Sequence, residues 1–240
     1  SFKKISLELG GKNASIVFAD CNIESTLEGV VRSGFLNQGQ VCLCGSRILV
    51  EDGIYDEFER RFVESVEKMT IGDPLDESSD LGALISPEHL EKVRSYIDLA
   101  KEEGGTILTG GTPCLPSRFD GGNWISPTVI GGLEYDSRCA TEEIFGPVVS
   151  LHRFDSEEEA IEIANCTRYG LAGSVWTEDL EKGKRVSERI DSGMIWINTW
   201  LHRDLRVPFG GVKDSGVGRE GGRWSLGFFS EAMNICVKQG

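Results

Sequence analysis

Short apolar runs alternate with stretches of helical periodicity along most of the chain. Residues 15–18 have the character of a buried strand, and residues 47–50 have the same character. Between these two runs, Leu27, Val30 and Phe35 fall on one face of a helix. This alternation predicts an α/β fold, in which a sheet is layered by helices.

The same pattern continues through the rest of the chain. Further strands are predicted at residues 125–130, 148–154, 171–176, 194–198 and 234–238, and further helices at 58–69, 86–104, 156–164 and 180–190. Two of these helices begin with capping signals: Ser86 stands before Pro87, and Ser156 precedes Glu159 by one turn. The glycine-rich stretch from residue 208 to 222 is predicted to be a long functional loop.

Charge and cysteine content limit the partners and the location. The formal net charge of −14 would repel phosphate backbones and anionic lipids, so neither nucleic acid nor a membrane is expected as a partner. Neither a bilayer-spanning run nor a secretory signal is expected. The 7 cysteines are odd in number and scattered. They favour reduced thiols, a cytoplasmic location and no structural metal site.

Two clusters place a carboxylate beside glycine. Glu8 precedes a Gly-Gly pair, and Glu143 follows Glu142 and precedes a Gly-Pro bend. The first could project an acid into a cleft, and the second could hold ribose hydroxyls. The alternatives are a surface glutamate at a tight turn for Glu8 and a solvated loop for Glu143.

Two further clusters could contribute a nucleophile and a channel wall. Cys42 follows a glycine turn at the end of a helix, where backbone N–H groups can lower a thiol pKa and stabilise an oxyanion. An inert buried cysteine is the alternative, and it is the interpretation given to the other six. Phe209 stands before two glycines and could line a substrate channel, although a flexible connector would look the same.

A glycine fingerprint near the carboxyl end does not predict a dinucleotide site. Residues 216–221 match G-x-G-x-x-G, but no clear strand leads into them. Too few residues follow for a βαβ unit that ends in a ribose-binding acid. We therefore do not interpret this stretch as a phosphate cradle.

Taken in order, the four clusters resemble the aldehyde dehydrogenase superfamily, and the resemblance covers essentially the whole chain. The clusters are Leu-Glu-Leu-Gly-Gly-Lys at 7–12, Gln-Gly-Gln-Val-Cys at 38–42, Glu-Glu-Ile-Phe-Gly-Pro at 142–147 and Pro-Phe-Gly-Gly-Val-Lys-Asp-Ser-Gly-Val-Gly-Arg-Glu at 208–220. Members of that family are about twice as long, and most of their Rossmann coenzyme domain precedes these motifs. Since the chain opens at Ser1 without a methionine, a fragment comprising the C-terminal, catalytic half is expected.

The resemblance also implies a domain organisation. Residues 12–205 would form a three-layer, Rossmann-like catalytic domain. Residues 1–11 would be a remnant of the coenzyme-binding domain, and residues 206–240 a return segment with an oligomerisation strand. That strand, predicted over residues 234–238, implies a homodimer or homotetramer in the intact protein.

The family mechanism assigns the two central roles. Cys42 matches the nucleophile that attacks the aldehyde to give a thiohemiacetal and, after oxidation, a thioester. Glu8 matches the general base that activates water to hydrolyse the thioester. The Cys42 N–H would be one oxyanion donor, and the second would be an asparagine in the missing half.

The same resemblance assigns coenzyme contacts. Glu143 matches the carboxylate that holds the nicotinamide ribose, and Phe145 stands beside it. His89 and Lys92 fall where the family contacts the adenosine ribose, although a solvated helix face is the open alternative for both. NAD is the expected coenzyme. NADP stays open, because the discriminating residue belongs to the missing half.

The substrate class follows from a finer similarity. Residues 200–206 look like those of the 2-aminomuconic and 2-hydroxymuconic semialdehyde dehydrogenases, in which an arginine here can hold a substrate carboxylate. Arg203 is the first candidate and Arg206 the second, with Phe209 lining the aldehyde channel. A surface salt bridge to Asp204 is the alternative role for either arginine.

Two alternative functions stay open at this point. The chain could be a truncated isoform or an excised domain without dehydrogenase activity. It could also be a thiol esterase that uses Cys42 without coenzyme.

Overall fold

The fold is described from a computed structural model, which describes residues 2–116 and 118–240. Its strands are β1 (Leu7–Glu8), β2 (Ala14–Val17), β3 (Arg47–Glu51), β4 (Thr106–Thr109), β5 (Thr128–Gly131), β6 (Val148–Phe154), β7 (Tyr169–Gly170), β8 (Ala172–Trp176), β9 (Met194–Ile197), β10 (Val212–Lys213) and β11 (Gly216–Val217). Its α-helices are α1 (Ile23–Phe35), α2 (Asp52–Glu67), α3 (Pro87–Glu102), α4 (Arg138–Thr141), α5 (Glu157–Asn165), α6 (Leu180–Ser187) and α7 (Gly222–Phe229), and a 3₁₀ helix spans Leu36–Gly39.

A seven-stranded sheet forms the centre of the molecule, in the order β4-β5-β6-β3-β2-β8-β9. All of its neighbouring strands run parallel except β4, which pairs antiparallel with β5 at one edge. Strands β2, β5 and β8 are buried along their whole length, which explains their largely apolar sequences. Two short antiparallel pairs, β1 with β11 and β7 with β10, lie outside this sheet.

Helices cover both faces of the central sheet. On one face, buried side chains of α1 and α2 pack against residues of the strands. Those of Val30, Phe35, Phe58 and Phe62 belong to one core with Val50 and Val149. On the other face α5 and α6 do the same, through Ala160, Ile163 and Val186 against Ile16 and Leu49. The predicted α/β fold, a sheet between helical layers, is confirmed.

One buried arginine joins the sheet to the end of α5. Arg47, the first residue of β3, is 1% exposed. Its Nε donates to the carbonyl of Lys12 at 3.0 Å, and its terminal nitrogens donate to the carbonyls of Ile163 and Ala164 at 2.7 and 2.8 Å. The last carbonyls of a helix have no partner within the helix, so this guanidinium satisfies them and binds α5 to β3.

A histidine on the same face of the sheet is also buried and paired. His152 Nε2 lies 2.8 Å from Ser150 Oγ. Burial and the positive charges of Arg47 and Lys12 lower the pKa of His152 to about 3, so this imidazole is neutral at physiological pH. We refer to Arg47, Ser150 and His152 as the Arg47 cluster.

Both predicted helix caps are confirmed. Ser86 Oγ accepts a hydrogen bond from the His89 N–H at 3.2 Å, and Ser156 Oγ accepts one from the Glu159 N–H at 3.3 Å. These caps satisfy N–H groups that the first helical turn leaves without partners. No helix in residues 2–116 or 118–240 combines the length and apolar character needed to cross a bilayer.

The carboxyl-terminal segment differs from the sequence prediction. Residues 234–238 are exposed and belong to no strand of this chain, so the strand predicted there is absent from its sheets. Pairing of this segment across subunits stays a prediction, because an extended segment needs a partner edge to become a strand. Helix α7 was not predicted from the sequence. None of its residues is buried, and two of its eight residues, Gly222 and Gly227, disfavour a helix.

The predicted domain boundaries stay a prediction. The central sheet lies within the predicted 12–205 unit, while β1 from the 1–11 segment pairs with β11 from the 206–240 segment. Ser1, where the first unit was drawn to begin, lies outside the described residues.

Candidate active site

The predicted site residues gather at the amino ends of three adjacent strands. Glu8 lies shortly before β2, Cys42 shortly before β3, and Glu143 shortly before β6, and the sheet order β6-β3-β2 makes these strands neighbours. Hydrogen bonds link the three segments directly, as described below. Three clusters that are far apart in sequence therefore form one site.

The segment that carries the thiol is shaped by an unusual turn. Asn37, Gln38 and Gly39, just before it, all have left-handed backbone conformations, with φ of 53°, 57° and 68°. Asparagine and glycine tolerate this region best. A Cβ at Gly39 would lie only 2.1 Å from the carbonyl oxygen of Gly146, so only glycine fits there. The chain thus turns sharply into residues 40–46, which we call the thiol loop.

Side chains from other elements hold the thiol loop in place. Asn13 Nδ2 donates to the carbonyls of Cys42 and Cys44, both at 2.8 Å. Trp200 Nε1 donates to the carbonyl of Leu43 at 3.0 Å. A Cβ at Gly11 would lie 2.8 Å from the Cys42 carbonyl oxygen, so the second glycine of the Glu8 motif permits this close approach.

Cys42 is half-buried, and its pKa is raised. The main cause is burial, followed by the negative charges of Glu8 and Glu143, while the N–H groups of Cys42 and Leu43 oppose the shift. The expectation that backbone N–H groups would lower the net pKa of this thiol is therefore wrong. The N–H groups are present, but desolvation and two carboxylates outweigh them. A proton acceptor is needed to form the thiolate near neutral pH.

Glu8 lies in a cleft made by the glycine-rich segment that follows Phe209. Burial and the charge of Glu220 raise its pKa, against the opposing effects of the Gly211 N–H and Arg219. Its Oε2 is buried and has no hydrogen-bond partner among the described residues. A raised pKa makes this carboxylate a stronger proton acceptor than an exposed glutamate, and its free oxygen can accept a hydrogen bond.

The adjacent carboxylates of Glu142 and Glu143 have different partners. Glu142 accepts hydrogen bonds from Arg138 Nε at 2.9 Å and from the Tyr96 hydroxyl at 2.7 Å, and these contacts lower its pKa. Glu143 Oε1 accepts from the Gly11 N–H at 2.9 Å, beside the thiol loop. Of the pair, Glu143 is thus the carboxylate that faces the site.

His89 and Lys92 hold the backbone of the Glu143 segment. His89 Nε2 lies 2.6 Å from the Phe145 carbonyl oxygen, and Lys92 Nζ donates to the Glu143 carbonyl at 3.0 Å. Phe145 has a φ of 63°, and its ring meets His89 edge to face at 6.1 Å. Both side chains therefore anchor a strained turn. A purely solvated helix face, the alternative for these residues, does not describe them.

The two candidate substrate arginines are placed differently: Arg203 lines a cavity of about 430 Å³, and Arg206 is not among its lining residues. Arg203 lies over the Phe209 ring at 4.6 Å and has no carboxylate partner in the described part of the chain. Arg206 is bound to Asp204, with Nε to Oδ1 at 2.9 Å. The surface salt bridge considered for either arginine is thus formed by Arg206, which leaves Arg203 available to a ligand.

This cavity adjoins the candidate catalytic residues without containing them. Trp196, Arg203, Phe209 and Glu220 contribute to its lining, whereas Cys42 and Glu8 do not. Glu220 connects the two regions, because its charge raises the pKa of Glu8. The rejected fingerprint at 216–221 contributes β11 and the turn into α7, with no βαβ unit around it in the described chain.

The sequence interpretation missed residues that position the site. Asn13 and Trp200 both support the thiol loop, and neither belongs to the glutamate or cysteine clusters. Asn13 carried a usable signal, since it is a polar residue immediately before a largely apolar strand. Trp200 carried none, because a buried tryptophan is most often part of the core.

Comparison with known proteins gives a consistent result. A model of the "Aldehyde dehydrogenase family" matches residues 1–235. The chain is 52% identical over 239 residues to the 2-aminomuconic semialdehyde dehydrogenase of Mus musculus, covering 98% of the chain and 49% of that protein. It is 51% identical over 237 residues to the 2-hydroxymuconic semialdehyde dehydrogenase of Pseudomonas putida, with the same coverage.

Solved structures agree with this result. A crystal structure of betaine aldehyde dehydrogenase from Staphylococcus aureus in complex with NAD+ superposes with a TM-score of 0.91 at 39% identity, covering 98% of the chain and 49% of that structure. The chain spans about half the length of the curated relatives it matches.

Proposed function

This chain belongs to the aldehyde dehydrogenase family, and from that premise we propose that it forms the catalytic half of an enzyme that oxidises an aldehyde to an acid. The observation that carries the proposal is the convergence of Cys42, Glu8 and Glu143 near the amino ends of the neighbouring strands β2, β3 and β6. The substrate class we propose is a carboxylate-bearing semialdehyde, and the coenzyme is NAD or NADP.

Cys42 would act as the nucleophile. Its sulfur attacks the carbonyl carbon of the aldehyde, and the carbonyl oxygen becomes an oxyanion held by the Cys42 N–H. Loss of hydride from the resulting thiohemiacetal leaves a thioester on the same sulfur. Because the pKa of the thiol is raised, its proton has to be taken up by a nearby acceptor before attack. Glu8 is close enough for its charge to raise the pKa of this thiol.

Glu8 would act as the general base in the second half of the reaction. It takes a proton from a water molecule, whose oxygen attacks the thioester carbon and releases the acid and the Cys42 thiolate. The raised pKa of Glu8 supports this role, since a base works best when its pKa is close to the working pH. The buried Oε2 without a partner can receive the water hydrogen bond.

The residues present fit a nicotinamide coenzyme at Glu143. One carboxylate oxygen is fixed by the Gly11 N–H, while Oε2 has no hydrogen-bond partner in the described residues and can accept from a ribose hydroxyl. A Cβ at Gly10 would lie 2.3 Å from that Oε2, so the backbone there is kept bare. The coenzyme, when bound, supplies the acceptor for the hydride. Phe145, His89 and Lys92 would keep this carboxylate in place, and ribose contacts by His89 and Lys92 are part of the proposal.

Arg203 would select for a substrate carboxylate. Its guanidinium is unpaired in the described chain and lies on Phe209 beside the cavity, where it can form a two-pronged contact with a carboxylate. Arg206 is the second candidate, although its pairing with Asp204 would have to be broken first. Two of the relatives are named for muconic semialdehydes, which are carboxylate-bearing semialdehydes.

The central test compares two cysteines of the thiol loop. In the protein that carries this chain, Cys42→Ala should abolish NADH formation from a carboxylate-bearing semialdehyde and also abolish hydrolysis of p-nitrophenyl acetate. Cys44→Ala, the matched control, should keep both activities within about tenfold, since Cys44 is buried among core residues. The acyl adduct should map to Cys42 by peptide mass spectrometry.

Two outcomes would count against the proposal. An active Cys42→Ala protein, or an adduct on another cysteine, would remove the nucleophile assignment. Ester hydrolysis at Cys42 without any NADH formation would leave only the coenzyme-independent esterase.

The substrate assignment has a separate test. Arg203→Ala should raise KM for a carboxylate-bearing semialdehyde at least tenfold, and should change KM for a neutral aldehyde of the same length little. Arg206→Ala is the matched control, expected to have the smaller effect. Equal changes for both substrates would show that Arg203 does not recognise the carboxylate.

The assembly and location belong to the same proposal. The exposed terminal segment, including Ile235 and Val237, would pair across subunits in a homodimer or homotetramer. A cytoplasmic location is proposed from the reduced cysteines alone.

A further inference from the structure

Two backbone N–H groups beside the candidate nucleophile have no partner. Hydrogen bonds occupy the N–H groups of Gln40, Cys44 and Gly45 in the thiol loop. No oxygen or nitrogen acceptor within the described chain is found for the N–H groups of Val41, Cys42 and Leu43, and of these three those of Cys42 and Leu43 act on the Cys42 thiol. Partnerless N–H groups in a half-buried loop are uncommon, because an unpaired buried donor costs free energy.

The direction of these N–H groups is set by the carbonyls of the same peptides. In a trans peptide the C=O and N–H point in opposite directions. The carbonyl paired with the Cys42 N–H is that of Val41, and it accepts from the Cys44 N–H at 3.0 Å. The carbonyl paired with the Leu43 N–H is that of Cys42, and it accepts from Asn13 Nδ2 at 2.8 Å. Both N–H groups therefore point away from the donors of these two bonds, and both favour the thiolate form of Cys42.

Asn13 is well suited to hold the second of these peptides. Its side chain is buried, with an exposed fraction of 4%, and both of its functional atoms are engaged. Nδ2 donates to the carbonyls of Cys42 and Cys44, and Oδ1 accepts from the Ala172 N–H at 3.0 Å. The last bond ties the amide to β8, a central strand, so its orientation is fixed by the sheet rather than by the loop.

We propose that Asn13 is a positioning residue for the nucleophile. By holding the Cys42 carbonyl, it keeps the Leu43 N–H directed at the Cys42 sulfur, where this N–H is a second backbone donor to the thiolate beside the Cys42 N–H. The inference rests on the proposed function in one respect, that Cys42 is the reacting group. The contributions of both N–H groups to stabilising the thiolate agree with it.

The test measures the thiol itself and needs neither coenzyme nor aldehyde. The rate of Cys42 carbamidomethylation by iodoacetamide is followed against pH by peptide mass spectrometry. Asn13→Leu removes all three hydrogen bonds without adding a charge. It should raise the midpoint of the pH profile by about one pH unit and slow the reaction about tenfold below that midpoint, as expected for the loss of one charge-assisted hydrogen bond.

A second variant and a matched control separate positioning from general destabilisation. Asn13→Ser keeps one donor and should shift the midpoint in the same direction by less, which also covers a failure of Asn13→Leu to fold. Asn165→Leu removes an amide that likewise bridges two backbone groups, the Arg189 carbonyl and the Asp191 N–H, away from the thiol loop. Its midpoint should equal that of the unmodified protein.

Two results would overturn the inference. One is a folded Asn13 variant with an unchanged midpoint, and the other is an equal shift in Asn165→Leu. Failure of the proposed function would look different, because Cys42→Ala would then retain turnover whatever the Asn13 variants do.

Discussion

Arg47 and Cys42 lie at the two ends of the short segment that enters β3, and their surroundings are opposite in kind. Arg47 is buried, and its guanidinium donates to three backbone carbonyls. Around Cys42, the N–H groups of Cys42 and Leu43 have no oxygen or nitrogen acceptor among the described residues, and the Oε2 of Glu8 has no hydrogen-bond partner there. Polar groups that are fully satisfied stabilise the fold, whereas unsatisfied ones are available to bind a ligand.

The largest effect on stability is expected from replacing Arg47, whose hydrogen bonds are satisfied. Arg47→Met should lower the free energy of unfolding by about 3 to 5 kcal/mol, because it leaves the carbonyls of Lys12, Ile163 and Ala164 buried without donors. Urea unfolding followed by circular dichroism measures this loss.

The control is Arg185→Met, which removes an exposed arginine bound to Glu157 between α6 and α5. Its loss should be much smaller. Comparable losses in the two variants would mean that the Arg47 cluster does not differ from the surface in its contribution to stability.

An intermediate effect should appear as a pH dependence. The pKa of His152 is about 3 in the folded protein, against 6.5 for the free side chain. Between these values the unfolded chain binds a proton that the folded chain does not, so stability falls as the pH falls through this window. His152→Gln should remove about 1.4 kcal/mol per pH unit of this dependence between pH 6 and 4, measured by urea unfolding at several pH values. A slope identical to that of the unmodified protein would show that His152 is protonated in the folded state.

The smallest effect on stability is expected from replacing Glu8, whose Oε2 has no hydrogen-bond partner among the described residues. The pKa of Glu8 is raised in the folded protein, so the folded form binds the extra proton, and stability falls as the pH rises above the ordinary value of 4.5. Glu8→Gln should therefore stabilise the protein at pH 7.5, by less than about 1 kcal/mol because the side chain is only half-buried, and should have no effect at pH 4.

Glu142→Gln gives the opposite sign and serves as the control. The pKa of Glu142 is lowered by Arg138 and Tyr96, so its stabilising contribution is present above pH 4.5 and is lost as the pH falls. This variant should be less stable than the unmodified protein at pH 7.5. Destabilisation by both substitutions would contradict the view that Glu8 is held at a cost in stability.

Local sequence signals account for much of the fold. The apolar strands are short and continuous because their residues are buried on both faces, and the caps at Ser86 and Ser156 are visible because capping depends on residues one turn apart. Elements with weak burial escaped the prediction. Helix α7 has no buried residue, and the segment at 234–238 has a strand-like sequence without an edge to pair with.

From the sequence alone, the order of the motifs predicted Cys42, Glu8 and Glu143 as site residues, and the alternation of apolar runs with helical periodicity predicted the α/β fold. The tertiary structure decided how these residues are held and charged. Strand order brought three loops to the amino ends of β6, β3 and β2, whereas ligand sites of open parallel sheets are expected at the carboxyl ends. In the folded chain, burial raises the pKa of the Cys42 thiol, and Asn13 donates a hydrogen bond to the Cys42 carbonyl. Of the two candidate arginines, Arg206 forms the salt bridge. Burial, charge and hydrogen-bond direction depend on neighbours that are distant in sequence, and only the folded chain brings those neighbours together.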